Sequence, residues 1–225
     1  MPIETGAQIL AADVNEILNH SFQALGYKMA SLNPANMTVG VEGTGVNTQT
    51  EAGVRHTTGA TANGRGYGYF NIYGLGEAAP DGCDWDKPLH LSFSIARRTT
   101  SANCRGRVQL DHSTNEADLA AVGIGIVIKG FVLYGESYGA GRAETSLSTT
   151  MVDEQQYVVD IVHTPGTDVK FYVDGVLQAT HSTAANVPSG EVGSVYLISS
   201  IDNQADNIDA ELWIGYSIPL WQEKT

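Results

Sequence analysis

Residues 135–139, Gly-Glu-Ser-Tyr-Gly, match the GxSxG pattern of a nucleophile elbow. In such an elbow, a tight turn between a strand and a helix exposes the serine oxygen to a substrate. Residues 131–134 are compatible with a strand, but Ala-Gly-Arg-Ala at 140–143 is a poor helix start, and no alternation of strands and helices surrounds the motif. We therefore predict an ordinary turn at 135–139, and an esterase that uses Ser137 is the disfavoured alternative.

Two carboxylates, Asp209 and Glu211, are spaced so that they share one face of a predicted strand. Glycoside hydrolysis usually needs a pair of carboxyl groups, one as the acid and the other as the nucleophile or base. Here Trp213 is the next residue on the same face of the strand. No third acidic residue follows to complete a catalytic set of carboxyl groups. We predict that these side chains are solvated, that the chain has no catalytic residues and that it is not an enzyme.

Oxygen-bearing side chains are concentrated in residues 202–209, Asp-Asn-Gln-Ala-Asp-Asn-Ile-Asp. Calcium takes oxygen ligands, and loops supply them well. The spacing matches no EF-hand loop, and Asp and Asn are also common in turns between strands. An ordinary turn is favoured over calcium, and no other cofactor is expected. The candidate calcium ligands are Asp202, Asn203, Asp206 and Asp209.

Several aromatic residues lie in or beside glycine-rich segments. A ring with one exposed face can stack on the apolar face of a sugar, as in many ligand sites. Half-buried packing against the protein is the ordinary role of such residues and is the favoured interpretation. The candidate ligand-binding residues are Tyr67, Tyr69, Trp85 and Tyr138.

From residue 37 onward the chain has the pattern of strands. Residues 89–95 and 208–216 alternate between apolar and polar or small side chains, which indicates strands with one buried face. Residues 43–68 are rich in Gly, Thr and Asn and are predicted to be loop with short strand pieces. We predict an all-β fold: a two-sheet antiparallel jelly-roll sandwich of roughly ten to twelve strands with a short N-terminal helix.

One predicted hairpin allows two registers. A two-residue turn at Asp174 and Gly175 would pair Phe171 with Gln178, which mixes an apolar with a polar side chain. A three-residue loop ending at Gly175 would instead pair Phe171 with Leu177 and keep the apolar face intact. Because register follows the buried face, we predict the three-residue loop.

Residues 1–34 are predicted to be an attachment segment that precedes a sandwich domain at 35–225. Asp13 is a favourable N-cap and Glu16 follows as in a capping box, so a helix is expected to about Ala30. Its apolar residues suit a seven-residue repeat, which favours self-association; packing of the helix onto its own domain is the alternative. The predicted oligomerisation residues are Leu18, Phe22, Leu25, Met29 and Leu32.

The charge balance excludes some partners. Lys and Arg number 12 and Asp and Glu 25, a net charge of −13. Because cations bind phosphates and an acidic surface is repelled by anionic lipid, neither nucleic-acid nor membrane partners are expected. The first ten residues lack the basic and apolar regions of a signal peptide, which predicts a cytoplasmic protein. Cys83 and Cys104 are then expected to be free thiols rather than a disulfide.

Residues 157–181 resemble the concanavalin A-like lectin/glucanase superfamily, which includes laminin-G-like domains. In these domains a strand is followed by the phrase xVxFYVDGxL, here residues 168–177, and then by a turn that contains proline, here Pro188. The resemblance implies a two-sheet jelly roll, and it implies no particular ligand. Glucanases of this superfamily carry an E-x-D-x-x-E strand, which this sequence lacks.

Residues 5–22 resemble the starts of many bacteriophage structural and tail-fibre proteins, in which G-x-x-I/L-x-A-x-D-x-N precedes a short helix. The resemblance implies a homotrimeric virion protein, assembled in the host cytoplasm, that decorates the capsid exterior or forms a head or tail appendage. The expected partners are copies of itself, other virion proteins and a host surface glycan. A free glycan-binding lectin is the first alternative, and a degenerate glycosidase or esterase is the second.

Overall fold

The computed structural model describes residues 27–32, 37–50, 53–72, 83–98, 101–112, 119, 121–193, 195–215 and 218–223. Two large antiparallel sheets pack against each other in a sandwich, with nine strands in one sheet and seven in the other. This confirms the predicted all-β, two-sheet fold. Within the described ranges, the helical structure is one short 3-10 turn at Ala184–Asn186.

The strands are numbered in chain order. The nine-stranded sheet contains β1 (Tyr27–Leu32), β3 (Asn47–Thr50), β4 (Gly53–Thr57), β7 (Leu89–Arg98), β12 (Tyr157–Thr164), β13 (Asp168–Val173), β14 (Val176–His181), β17 (Glu211–Gly215) and β18 (Ile218–Glu223). The seven-stranded sheet contains β2 (Thr38–Glu42), β5 (Arg65–Asn71), β8 (Arg105–Asp111), β9 (Gly123–Lys129), β10 (Val132–Tyr138), β11 (Arg142–Thr150) and β16 (Tyr196–Asp202). A small sheet pairs β6 (Cys83–Asp84) with β15 (Glu191–Val192).

Strand order differs from chain order in both large sheets. The seven-stranded sheet runs β11-β10-β9-β8-β16-β5-β2, and the nine-stranded sheet runs β14-β13-β12-β7-β17-β4-β3. On the β17 side of β7, β18 pairs with Leu89–Leu91 and β1 pairs with β18. Strands that are distant in the chain are therefore neighbours, which is the arrangement of a jelly roll.

The core lies between the two sheets. In β7 the alternation seen in the sequence buries Leu91, Phe93 and Ile95, and the facing sheet contributes side chains such as Ile124 and Ile126. Fully burying one such side chain is worth about 1.5–3 kcal/mol, so this core dominates the stability of the sandwich.

One glycine shows how closely the two sheets approach each other. A Cβ atom on Gly135, in β10, would lie 2.7 Å from the ring of Phe171, in β13 of the other sheet. Glycine is therefore the residue that fits at this contact. The consequence is that the GxSxG motif begins inside the sandwich core.

The predicted N-terminal helix is wrong at residues 27–30, which are the part of it that the structure describes. Residues 27–30 lie in β1, which pairs antiparallel with β18 from Tyr27↔Glu223 to Leu32↔Ile218. Long-range pairing with a strand near the other end of the chain has overridden the local helical pattern. Met29 and Leu32, predicted as oligomerisation residues, are thus strand residues, whereas Leu18, Phe22 and Leu25 lie outside the described residues. The boundary at 34/35 stays a prediction, although β1 already belongs to the sheet.

The predicted register of the β13–β14 hairpin is wrong in an instructive way. The turn has two residues, Asp174 and Gly175, with φ of 50° and 78°, as a type I′ turn requires. A β-bulge at Gln178 then shifts the register, so that Phe171 pairs with Ala179. The bulge keeps the apolar side chains of the hairpin on one face. The three-residue loop was predicted for the same reason.

The remaining expectations about the scaffold have mixed outcomes. Residues 43–68, predicted to be mostly loop, contain β3, β4 and the start of β5. Cys83 and Cys104 are buried free thiols, and burial raises the pKa of the Cys83 thiol.

In the described parts of the chain, no helix has the length and apolar character needed to cross a membrane.

Candidate functional site

Ser137 of the GxSxG motif lies inside strand β10 and is fully buried. Its hydroxyl is hydrogen-bonded to His181 Nδ1 at 2.7 Å, and His181 Nε2 is 3.1 Å from Thr145 Oγ1. Burial lowers the pKa of His181. The predicted turn at 135–139 is therefore wrong, because most of this stretch is a strand. The exposed serine that a nucleophile elbow requires is absent at this position.

Trp85 is fully buried and packs edge-on against His163, with 5.4 Å between ring centroids. Its prediction as a ligand-binding residue fails because no ring face is accessible to a sugar. The aromatic ring is instead part of the hydrophobic core.

The three candidate tyrosines share the outer face of the seven-stranded sheet and are half-buried. Tyr67 lies over Gly40, whose Cβ would be 2.4 Å from the ring, and Tyr69 packs edge-on against Tyr196 at 5.9 Å. Tyr138 is four strands away across β16, β8 and β9, which is about 19 Å at the usual strand spacing. The structure therefore brings Tyr67 and Tyr69 together but leaves Tyr138 apart from them.

A buried polar layer on the same face was not predicted. Gln109 Nε2 donates to Glu136 Oε2 at 2.7 Å, and Arg142 forms an ion pair with the other Glu136 oxygen. Between them lies Gly125, where a Cβ would be 2.6 Å from Gln109 Cγ, so glycine lets the Gln109 side chain cross β9. Gln109 and Glu136 are fully buried, and this layer therefore serves the scaffold in the present conformation.

The four candidate calcium ligands hold loops together. Asp209 Oδ1 accepts a hydrogen bond from Gly59 N at 2.8 Å, and Asn203 Oδ1 accepts one from Gly64 N at 2.9 Å. Asp202 forms an ion pair of 3.2 Å with Arg107. Asp206 accepts hydrogen bonds from Ser101 and Asn103, which lower the pKa of its carboxyl group.

These oxygens thus face several different protein donors and do not converge on one point. Among the residues that the structure describes, no three His, Cys, Asp or Glu side chains are grouped so that they could hold a metal ion. Calcium stays the alternative to an ordinary turn in this loop, and a binding measurement would test it.

A groove of about 560 Å³ lies on the outer face of the nine-stranded sheet and is the site that sequence reasoning missed. It is built from β3, β4, β7 and β17 together with the loop that carries Glu154 and Gln156. The β3–β4 hairpin is distant in the chain from β7 and β17, and it meets them because β17 is inserted between β4 and β7.

The floor of the groove is a row of small residues. Gly53, Gly215 and Ser94 are paired in register across β4, β17 and β7. A Cβ atom on Gly215 would lie 2.3 Å from Ser94 Oγ, so the serine hydroxyl occupies the space that a side chain would need. In the next row Arg55 and Trp213 rise beside this floor and form one wall.

Trp213 is the exposed aromatic residue of this wall, with 45% of its surface accessible. Its indole N–H donates to Glu211 Oε2 at 3.1 Å, and the Arg55 guanidinium lies 5.9 Å from the ring centroid. Arg55 Nη1 is also 4.0 Å from the same Glu211 oxygen. These contacts hold the indole in one orientation while much of its surface remains open to solvent.

The groove also offers polar groups that are free to bind a ligand. In the described part of the chain, the side chains of Thr48, Ser94 and Gln156 make no hydrogen bond or ion pair. A held aromatic ring beside free hydroxyl and amide groups can bind a sugar, because a pyranose presents apolar C–H faces and a rim of hydroxyls. The signal in the sequence was the alternation that places Trp213 on the outward face of its strand.

Comparisons with known proteins agree with the fold. No family model matches the sequence, and no curated protein is similar enough to report. A search of solved structures matches the Crh5 transglycosylase, with a TM-score of 0.57, 9% identity, and coverage of 89% of this chain and 85% of that one. The Emp47p carbohydrate recognition domain matches with a TM-score of 0.55, 12% identity, and coverage of 88% and 98%.

A third match is to botulinum neurotoxin type C, whose cell entry depends on interaction with two ganglioside molecules. The TM-score is 0.54 and the identity 12%; the match covers 92% of this chain and half of the toxin chain. These neighbours include both an enzyme and binding domains, so they leave catalysis open. They show that the chain shares the two-sheet jelly-roll fold of these proteins.

Proposed function

We propose that this protein is a glycan-binding module and that the groove beside Trp213 is its binding site. The observation that carries the proposal is an exposed tryptophan, held by Glu211 and Arg55, at the edge of a groove with free polar groups. Support comes from the similarly folded Emp47p domain, which recognises carbohydrate, and from the toxin that interacts with gangliosides.

Binding requires stacking and hydrogen bonding but no bond cleavage. One sugar ring lies against the Trp213 indole, and its hydroxyls meet Thr48, Ser94 and Gln156. Aromatic contacts add about 0.5–1.5 kcal/mol beyond the area that they bury. Because Trp213 is already held in position, little conformational freedom is lost on binding, which favours affinity.

The test is a Trp213→Ala variant, measured by glycan array and by titration calorimetry with the best array ligand. We expect the native protein to bind and the variant to lose at least tenfold in affinity, since it loses the stacking surface. Leu177→Ala is the matched control, because Leu177 has a similar exposed fraction, 49%, on another strand of the same sheet. Its affinity should equal that of the native protein.

Two results would contradict the proposal in different ways. If the native protein bound no glycan on a broad array, the function would be wrong. If Trp213→Ala bound normally and Tyr69→Ala did not, the site would lie on the tyrosine-lined face of the seven-stranded sheet instead.

The module's biological setting is a second proposal, which rests on the resemblance of residues 5–22 to phage structural proteins. We infer that the protein is a homotrimeric decoration or appendage protein on the exterior of a virion, where a glycan-binding head would contact the host surface. Light scattering of the purified protein tests the assembly, and a monomeric mass would contradict it.

A further inference from the structure

The charged groups at the groove are balanced. Arg55 faces Glu211 at 4.0 Å, and Glu154 on the opposite rim pairs with Arg98 at 3.1 Å. Among the residues that the structure describes, each positive charge at the groove therefore has a carboxylate partner. The groove thus differs from a site for anions, in which a positively charged side chain without a carboxylate partner binds the ligand.

Among the described residues that line the groove, the polar side chains without a protein partner are uncharged. They are the hydroxyls of Thr48 and Ser94 and the amide of Gln156, which donate to or accept from sugar hydroxyls without selecting a charge. The chain as a whole carries −13, which repels an anionic ligand during approach.

From this balance we propose that the groove selects uncharged sugars over sialylated or uronic acid-containing ones. The inference rests on the proposed function and narrows its ligand class. A carboxylate placed beside Trp213 would lie close to Glu211 and Glu154, and both side chains would repel it. A neutral hexose meets neither obstacle.

Glu211 is the positioning residue that sets this preference. It accepts the Trp213 N–H and also neutralises Arg55. In a Glu211→Gln variant the amide oxygen can still accept the indole N–H, but the positive charge of Arg55 is no longer balanced. This variant separates the two roles of Glu211, which Glu211→Ala would remove together.

The experiment compares neutral probes with acidic counterparts by titration calorimetry. Lactose and cellotriose are the neutral probes, and 3′-sialyllactose and a glucuronate trisaccharide are the acidic ones. We expect the native protein to bind at least one neutral probe at least tenfold more tightly than its acidic counterpart. In Glu211→Gln the ratio of acidic to neutral affinity should rise severalfold, and added salt should reduce that rise.

Glu154→Gln is the second variant, because it removes a rim carboxylate without touching Trp213. It should likewise raise the ratio of acidic to neutral affinity. If the acidic probes bound the native protein as well as the neutral ones, in a Trp213-dependent way, the charge inference would be wrong and the glycan-binding proposal would stand. If no probe of either class bound, the proposed function itself would fail.

Discussion

Two histidine–serine pairs connect the two sheets across the core. His56 in β4 and Ser199 in β16 are 2.7 Å apart, and His181 in β14 and Ser137 in β10 are also 2.7 Å apart. The pairs lie towards opposite edges of the sandwich. Buried polar groups are costly unless they are paired, so each pair favours the one sheet alignment in which both members meet.

His56 makes the stability of the fold depend on pH. Its Nδ1–H donates to Asn47 Oδ1 at 2.7 Å, so both ring nitrogens are satisfied in the neutral form, and burial lowers the pKa to about 3. Between pH 6.5 and about pH 3, His56 binds a proton in the unfolded chain but not in the folded chain. The free energy of unfolding therefore falls as the pH falls through this window, by up to about 1.4 kcal/mol per pH unit for this group.

The measurement is urea unfolding of the native protein and of His56→Gln from pH 7 to pH 4. At pH 7 we expect the variant to be about 1–3 kcal/mol less stable, because Asn47 and Ser199 lose their partner. The difference should shrink as the pH falls, because glutamine does not titrate. Parallel pH profiles for the two proteins would show that His56 is not the titrating group.

At the scale of strands, alternation predicted those elements that have one clearly buried face. β7 and β17 fall on the alternating residues 89–95 and 208–216, and β13 and β14 form the predicted hairpin. β11 was missed because it is an edge strand with one buried apolar side chain, Leu147, among exposed or half-buried Thr, Ser and Glu. The bulge at Gln178 was also unpredictable, because a bulge is one of two ways to keep the buried face intact and local sequence does not choose between them.

Gly125 in β9 is closely surrounded by the neighbouring strand β8. A Cβ at this position would lie 2.7 Å from the Val108 carbonyl oxygen as well as 2.6 Å from Gln109 Cγ, so the backbone itself would have to move. We expect Gly125→Ala to destabilise the fold by about 1–3 kcal/mol, as overpacking typically does. The check is thermal and urea unfolding, with Gly141→Ala as the control.

Gly141 suits this purpose because its Cβ would meet its nearest neighbour at an ordinary 3.4 Å. Its substitution should change stability by no more than about 0.5 kcal/mol. Equal effects at the two glycines would mean that the crossing of Gln109 over β9 does not constrain Gly125.

At the scale of the whole molecule, the sandwich could be predicted from sequence but the groove could not. The groove exists because Gly53, Gly215 and Ser94 meet in one row, and three separate strands contribute these residues. Sequence alone placed Trp213 on an outer face without showing what lies beside it. Candidate residues chosen from glycine-rich segments failed where, as for Trp85, tertiary packing covered the ring.

The groove and the proposed assembly are linked through avidity. A trimer would present three grooves, so its binding to a dense glycan surface should exceed single-site affinity by on the order of 10²-fold or more. A chain lacking residues 1–26 should keep its affinity for a free sugar but lose this avidity and become monomeric by light scattering. The deletion must stop before Tyr27, because β1 covers the edge of β18, and an exposed edge promotes aggregation. If the shortened chain kept both its mass and its avidity, residues 1–26 would not be the assembly segment.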